Sequence, residues 1–285
     1  MRKVCVITGG GSGMGLAAAK QMPQDMTLVL SGRTLRKLEK AVEELRSLGY
    51  DAHAFAFDTS VPEEVEALAA YSADLGEVTT VLHAAGMSPA MAKPEQLLRV
   101  NALGTVYVNR IFSRIMRHGV IVDVSSSAAY ALPDFLIGQG VCELAERDPE
   151  RFIRRMTRLC GLVPGDYQKA GLAYALSKKF VIRYAQLCAS RYGEKGIRVV
   201  SLSPGLVATD MGKLEAGEGA RMLAYAAERR MGTPEELGYA LAALADERNG
   251  YLAGVDVLCD GGASFGKHFR RAPRTSSPLP SFKTA

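Results

Sequence analysis

Tyr174 and Lys178 stand four positions apart in the run Tyr-Ala-Leu-Ser-Lys. On a helix that spacing stacks the two side chains on one face. A tyrosine hydroxyl titrates near about 10, too high for a base at neutral pH, and an ammonium held beside it favours the phenolate. The pair is therefore a candidate general acid–base. Tyr-x3-Lys also arises by chance in helices, so its meaning depends on the elements that position it.

A second chemical signal lies near the start of the chain. Val4–Ile7 is β-branched and reads as a strand buried on both faces. It feeds Thr8-Gly-Gly-Gly-Ser-Gly-Met-Gly15 and then the helical Leu16–Met22. Glycines let the backbone turn sharply and approach a ligand closely, and the following helix offers N–H groups and a positive dipole end to a pyrophosphate. Gly9, Ser12, Gly13, Met14 and Gly15 are the candidate contacts. A second strand, Thr27–Leu30, closes in Ser31-Gly32-Arg33. At this point a dinucleotide fold reads the adenosine ribose, with an acid for NAD and an arginine for the 2′-phosphate of NADP. The chain has Arg33 and no acid, so NADP(H) is favoured and NAD(H) stays open. A third strand over 54–57 leads to Asp58 and Thr59, expected beside the adenine.

The remaining elements follow in alternation. A helix over 63–73 precedes the strand Val78–Leu82, which ends in His83-Ala-Ala-Gly86. A helix over 95–116 carries Asn101, and the strand Val120–Val124 ends in Ser125-Ser-Ser127. A helix over 173–192 holds Tyr174 and Lys178, and the strand Arg198–Leu202 ends in Ser203-Pro-Gly205. Thr233-Pro-Glu-Glu236 opens a further helix with an N-cap threonine and an N1 proline, before a last strand, Val255–Leu258. This alternation predicts an α/β fold: a doubly wound, Rossmann-like parallel sheet with right-handed crossovers and helices on both faces.

Composition narrows the class. A hydrophobic fraction of 48% and a charged fraction of 23% are ordinary for a soluble globular protein. The net charge of +5 lies wholly in the stretch from Lys267 onward, which holds Lys267, Arg270, Arg271, Arg274 and Lys283 and no acid. A neutral body argues against a nucleic-acid partner, whose footprint would be a basic face on the fold. The five cysteines are scattered without ligand spacing, so neither a disulfide framework nor a metal site is expected. No apolar run is long enough for a membrane span, and the expected location is cytoplasmic.

Taken together, these motifs resemble the short-chain dehydrogenase/reductase family in its ordinary, non-extended branch. Its Thr-Gly-x3-Gly-x-Gly is matched by Thr8, Gly9, Gly13 and Gly15, its Tyr-x3-Lys by Tyr174 and Lys178, and its serine after the fifth strand by Ser126. Its helix asparagine is matched by Asn101, its adenine pair by Asp58-Thr59, and its Pro-Gly-x3-Thr by Pro204, Gly205 and Thr209, a segment that includes Val207. The resemblance covers about 3–266 and implies one domain over 1–266 followed by a basic, flexible tail over 267–285.

The resemblance also implies roles. NADPH delivers hydride to a carbonyl carbon, Tyr174 supplies the proton, and Ser126 hydrogen-bonds the same oxygen. Lys178 binds the nicotinamide ribose and tunes Tyr174, and Asn101 holds a water that links Lys178 to solvent. Ala85, Gly86, Pro204, Gly205, Val207 and Thr209 are cofactor contacts, the partner is a small molecule, and the assembly is a homo-oligomer, dimer or tetramer. The activity is interconversion of a carbonyl and a secondary alcohol. Met211, Leu214, Met222, Leu223 and Tyr225, in a stretch expected to cover the pocket, point to a bulky apolar substrate, steroid-like or otherwise.

Two departures stand out. Where the family has Asn-Asn-Ala-Gly, the chain has His83-Ala-Ala-Gly86, and His83 reads as a strand-end filler. Ser126 and Tyr174 are 48 positions apart, which marks an insertion within about 131–170. It is too long for a plain loop, so it should carry its own helices. Phe152, Ile153, Met156 and Leu159 make an apolar stripe there, opposite a solvated face of Arg151, Arg154, Arg155 and Arg158. The layout resembles the 3α-hydroxysteroid dehydrogenase/carbonyl reductase subgroup. Rival readings are a non-catalytic NADP-binding sensor, an adaptor acting through the basic tail, and enoyl reduction, whose branch spaces its tyrosine and lysine more widely.

Overall fold

The strands alternate their side chains between two apolar layers, which explains why they read as unbroken hydrophobic runs. In β1 (Lys3–Thr8), Val4 and Val6 face one buried cluster, and Cys5 and Ile7 face the other. The computed structural model of the chain describes residues 2–212 and 223–269. Besides β1, its sheet comprises β2 (Thr27–Gly32), β3 (Asp51–Ala56), β4 (Glu77–His83), β5 (Gly119–Val124), β6 (Ile197–Pro204) and β7 (Asp256–Cys259). All pair in parallel, in the order β3-β2-β1-β4-β5-β6-β7. The order reverses between β1 and β4, and that switch point opens a crevice at the carboxyl ends of the strands.

One face is covered by α1 (Gly13–Ala19) and α2 (Leu35–Ser47). The other carries α3 (Pro62–Leu75), α4 (Pro94–Leu98) and α5 (Gly104–Ile115). The helix expected over 95–116 is thus divided: Arg99–Leu103, which includes Asn101, is a π-helical turn between α4 and α5. Such turns recur at functional sites.

The insertion forms α6 (Gln139–Arg147) and α7 (Pro149–Cys160) and extends the helix that follows, α8 (Asp166–Tyr192). This helix begins seven residues before the expected start at 173. The expected amphipathic stripe of α7 is present. Phe152, Ile153 and Met156 are buried, Leu159 is partly buried against the same core, and the four arginines are exposed. Asp148 caps α7 by accepting from the Arg151 N–H at 2.9 Å, with Pro149 at the first helical position.

The apolar face of the insertion packs on the chain's own helices. Phe152 meets Phe180 with ring centroids 5.1 Å apart, and Phe180 stacks on Tyr184. Ion pairs hold the rim: Arg99 to Glu150 through two bonds of 2.8 Å, Arg191 to Glu146, and Lys179 to Asp134 at 2.7 Å.

The last described helix on the α1 side is α9 (Pro234–Ala245), capped as its sequence predicts: Thr233 and Glu236 exchange side-chain and backbone bonds. The terminal helix α10 (Ala263–Phe269) takes in the first residues of the expected tail, and 270–285 lie outside the described residues. Of the expected pocket cover, Leu214 and Met222 also lie outside them. Among the described residues, no helix is long and apolar enough to cross a membrane.

Candidate active site

The glycine turn between β1 and α1 works as the sequence requires. Gly9 and Gly13 have φ of +70° and +55°, the left-handed region that favours glycine. A Cβ on Gly15 would lie 2.5 Å from the Gly9 carbonyl oxygen, so helix and turn approach as only glycine allows. The turn is pinned to the end of β2, where the N–H groups of Gly9 and Gly10 donate to the Ser31 carbonyl.

A cavity of about 550 Å³ opens above this turn. It is lined by Gly9, Ser12, Gly13, Met14, Gly15, Arg33, Asp58, Thr59, Ala85, Gly86 and Thr209, all expected cofactor contacts. Tyr174, Lys178, Pro204, Gly205 and Val207, also expected as cofactor contacts, are not among its lining residues. Gly205 instead donates to the Cys259 carbonyl at 3.0 Å, and Val207 is buried in a bridge to Gly232. The cavity also reaches Lys37, Met87, Met91 and Met211, of which Lys37, Met87 and Met91 did not stand out in the sequence. Lys37 follows Arg33 by four positions, and that spacing was the signal available.

A nicotinamide dinucleotide fits this cradle. The turn presents N–H groups where a side chain would block approach, and the buried Thr59 Oγ1 lacks a protein partner beside the expected adenine site. Arg33 and Lys37 supply two cations at the adenosine end.

At the other end stands the tyrosine–lysine pair. Lys178 is buried, yet its Nζ donates to the Val124 carbonyl at 2.9 Å and lies 5.9 Å from the centre of the Tyr174 ring. Helix α8 is locked against the end of β5 by Ser125, whose hydroxyl donates to the Lys178 carbonyl at 2.7 Å. Ser126 follows directly, accepting from the Ala128 N–H at 3.2 Å through a hydroxyl whose own proton stays available to donate.

Asn101 completes the group in an unforeseen way. Its Oδ1 accepts from the Met87 N–H at 2.8 Å, and its Nδ2 donates to the Met87 carbonyl and to Ser177 Oγ. The amide thus clamps the backbone after Gly86. A Cβ on Gly86 would lie 3.2 Å from Asn101 Oδ1 and 3.3 Å from Lys178 Nζ, so the two groups close on one glycine.

Beneath the pair, His83 sits buried at the end of β4 with Nδ1 2.8 Å from Thr8 Oγ1, and Ala85 N–H donates to the same Thr8 oxygen at 3.1 Å. Burial, aided by the Lys178 charge, pushes the imidazole down to about 3, so it stays neutral. His83 therefore fills the strand end, as expected, and its contact with Thr8 orders the small residues that follow it.

The chain matches two family models, "short chain dehydrogenase" over residues 3–135 and "Enoyl-(Acyl carrier protein) reductase" over residues 161–264. The unmatched gap holds all of α6 and α7. The chain is 26% identical to "Short-chain dehydrogenase/reductase bsc3" of Alternaria brassicicola, covering 90% of this chain and 94% of that one. It is also 26% identical to a cyclohexanol dehydrogenase of an Acinetobacter strain, covering 91% and 94%. The fold matches a 3-oxoacyl-[acyl-carrier protein] reductase of Brucella melitensis, solved with NAD, at a TM-score of 0.73 and 22% identity, covering 93% and 98%. Motifs, fold and relatives agree: the chain belongs to the short-chain dehydrogenase/reductase family of oxidoreductases.

Proposed function

We propose that the protein interconverts a carbonyl and a secondary alcohol on a bulky apolar substrate, with a nicotinamide cofactor and a preference for NADP(H). The observation that carries this reading is the buried Lys178 ammonium, fixed on the Val124 carbonyl beside the Tyr174 ring. The cofactor, when bound, supplies or accepts the hydride. The chain's residues handle the proton and the oxygen. Tyr174 donates to the developing alkoxide or takes the proton back in oxidation. Ser126 donates to the same oxygen, where charge grows in the transition state. Lys178 favours the phenolate over the phenol and Asn101 holds the Met87 backbone that flanks it.

Arg33 and Lys37 favour a 2′-phosphate, and the apolar Met87, Met91 and Met211 favour a bulky apolar ligand. Enoyl reduction is the rival of the same fold; the four-residue spacing of Tyr174 and Lys178 speaks against it. The test is a panel of ketones, secondary alcohols and enoyl thioesters, followed by cofactor absorbance, with wild type beside Tyr174→Phe. The variant should bind NADPH normally and lose turnover by roughly 10²–10⁴-fold. Retention of more than about a tenth of the rate would remove Tyr174 from its role.

A further inference from the structure

Parallel pairing brings five polar residues to one level across the sheet. Thr8 pairs with His83, His83 with Asp123, Asp123 with Ser201, and Ser201 with Asp256. Paired residues of neighbouring strands point to the same face, here the one covered by α5 and α8. Asp123 is fully buried at the centre of this row, and its hydrogen-bond partner is an amide: Asn109 Nδ2 lies 2.9 and 3.0 Å from its two oxygens. Asp123 directly precedes Val124, whose carbonyl receives the Lys178 ammonium. One carboxyl group is thus set within one residue of the cation that serves Tyr174.

We propose that Asp123 is a positioning residue for the Tyr174–Lys178 pair, its ionised carboxyl offsetting the Lys178 charge and so opposing phenolate formation on Tyr174. The idea rests on the acid–base reading of Tyr174 above. The titratable groups that face Asp123 are His83 from β4 and Lys178 and Cys188 from α8, while β6 adds Ser201 and α5 adds Asn109, both uncharged. His83 stays neutral, and burial holds the Cys188 thiol protonated well above its ordinary range. Among the described groups that face Asp123 directly, charge is left to Asp123 and Lys178, while Asp256 at the end of the row accepts from Ser201, Ser203 and Tyr130. Burial raises the Asp123 carboxyl to about 7, against the opposing pull of Asn109 and Lys178. Its ionisation then changes around neutral pH. Two buried atoms here lack a protein partner, His83 Nε2 in the row and Asn109 Oδ1 on the helix against it, so the polar capacity around Asp123 is not consumed by structural bonds.

The test needs no substrate. Ionisation of Tyr174 is followed by phenolate absorbance as the difference between the protein and its Tyr174→Phe partner, in wild type and in Asp123→Asn. Removing the anion should lower the Tyr174 midpoint by about half to one pH unit, a three- to tenfold larger phenolate fraction at fixed pH. Where Asp123→Asn does not fold, Asn109→Ala serves instead. It withdraws the amide that favours the ionised carboxyl, so it should move the midpoint in the same direction. An unmoved midpoint in a folded variant overturns the proposal. Failure of the acid–base reading itself shows separately, as turnover surviving in Tyr174→Phe.

Discussion

Gly86 has no side chain because two functional groups close on it. A methyl group there would crowd Asn101 Oδ1 and Lys178 Nζ by a few tenths of an ångström. The lysine end is flexible, so Gly86→Ala should fold with a Tm near wild type, but the displaced ammonium should lower kcat by about tenfold. Steady-state kinetics beside a melting curve separate the two effects; an unchanged kcat would mean that Lys178 tolerates the shift. Asp123 gives a second prediction, on stability. Its folded carboxyl binds protons more tightly than the usual 3.8, so the stability present at low pH is lost as pH rises from about 4 to about 7. The loss is on the order of 4 kcal/mol. His83 acts with the opposite sign: its folded imidazole resists protonation, and its contribution is lost as pH falls from about 6.5 to about 3. The two slopes offset in wild type, so the variant difference is the clean measure. Relative to wild type, Asp123→Asn should gain stability between pH 5 and pH 8 in urea titrations; a constant difference would contradict a raised carboxyl. Tyr174 and Lys178 stand out in the chain by their spacing, and Ser126 and Asn101 by the family motifs they match. Asp123 does not, since its importance comes from register with strands 40 and 78 residues away, at His83 and Ser201.

At the scale of the element, β2 and α2 together present the two cations that, on the proposed function, would read the cofactor. Arg33 directly follows β2 and Lys37 lies in the first turn of α2, both on the cavity wall. A 2′-phosphate between them gains two charge-assisted contacts. Lys37→Ala should weaken NADPH binding several-fold and leave NADH nearly unchanged, as read by cofactor fluorescence titration. Equal loss for both cofactors would assign Lys37 to a structural role. Replacing Gly32 with Asp and Arg33 with a neutral residue should turn the preference toward NAD(H), because the acid repels the phosphate and accepts from a free 2′-OH. Strand and helix identities were readable from apolar runs and caps, as the Thr233 capping box illustrates. The π turn at Asn101 and the early start of α8 were not. A π turn needs no distinctive residue pattern, and Asp166–Leu172 continues α8 through Gly171 without a strong apolar stripe of its own.

For the whole molecule, the insertion decides which surface the core helices present. Helices α4, α5 and α8 would expose an apolar face, and α6 and α7 cover it from the same chain. The cover is fastened by well-defined contacts: Glu146 accepts from Tyr184 and Arg191, Glu150 holds Arg99 in a bidentate pair, and Asp134 binds the largely buried Lys179. If, as the family resemblance implies, the helices that carry Asn101 and Tyr174 would meet across a subunit interface, this covering would redirect such an assembly to another face. The insertion also extends α8 on the N-terminal side of Tyr174, so its return leads directly into the helix that carries the tyrosine. Shortening Asp134–Gln168 to a brief turn should therefore expose the apolar face, change the oligomeric mass and weaken substrate binding. Affinity for NADPH should hold, because Gly9–Gly15, Arg33 and Lys37 lie on the far side of the switch point. Light scattering and substrate titration on the shortened protein decide the matter: unchanged mass with unchanged KM would reduce α6 and α7 to a surface addition with no part in assembly or binding.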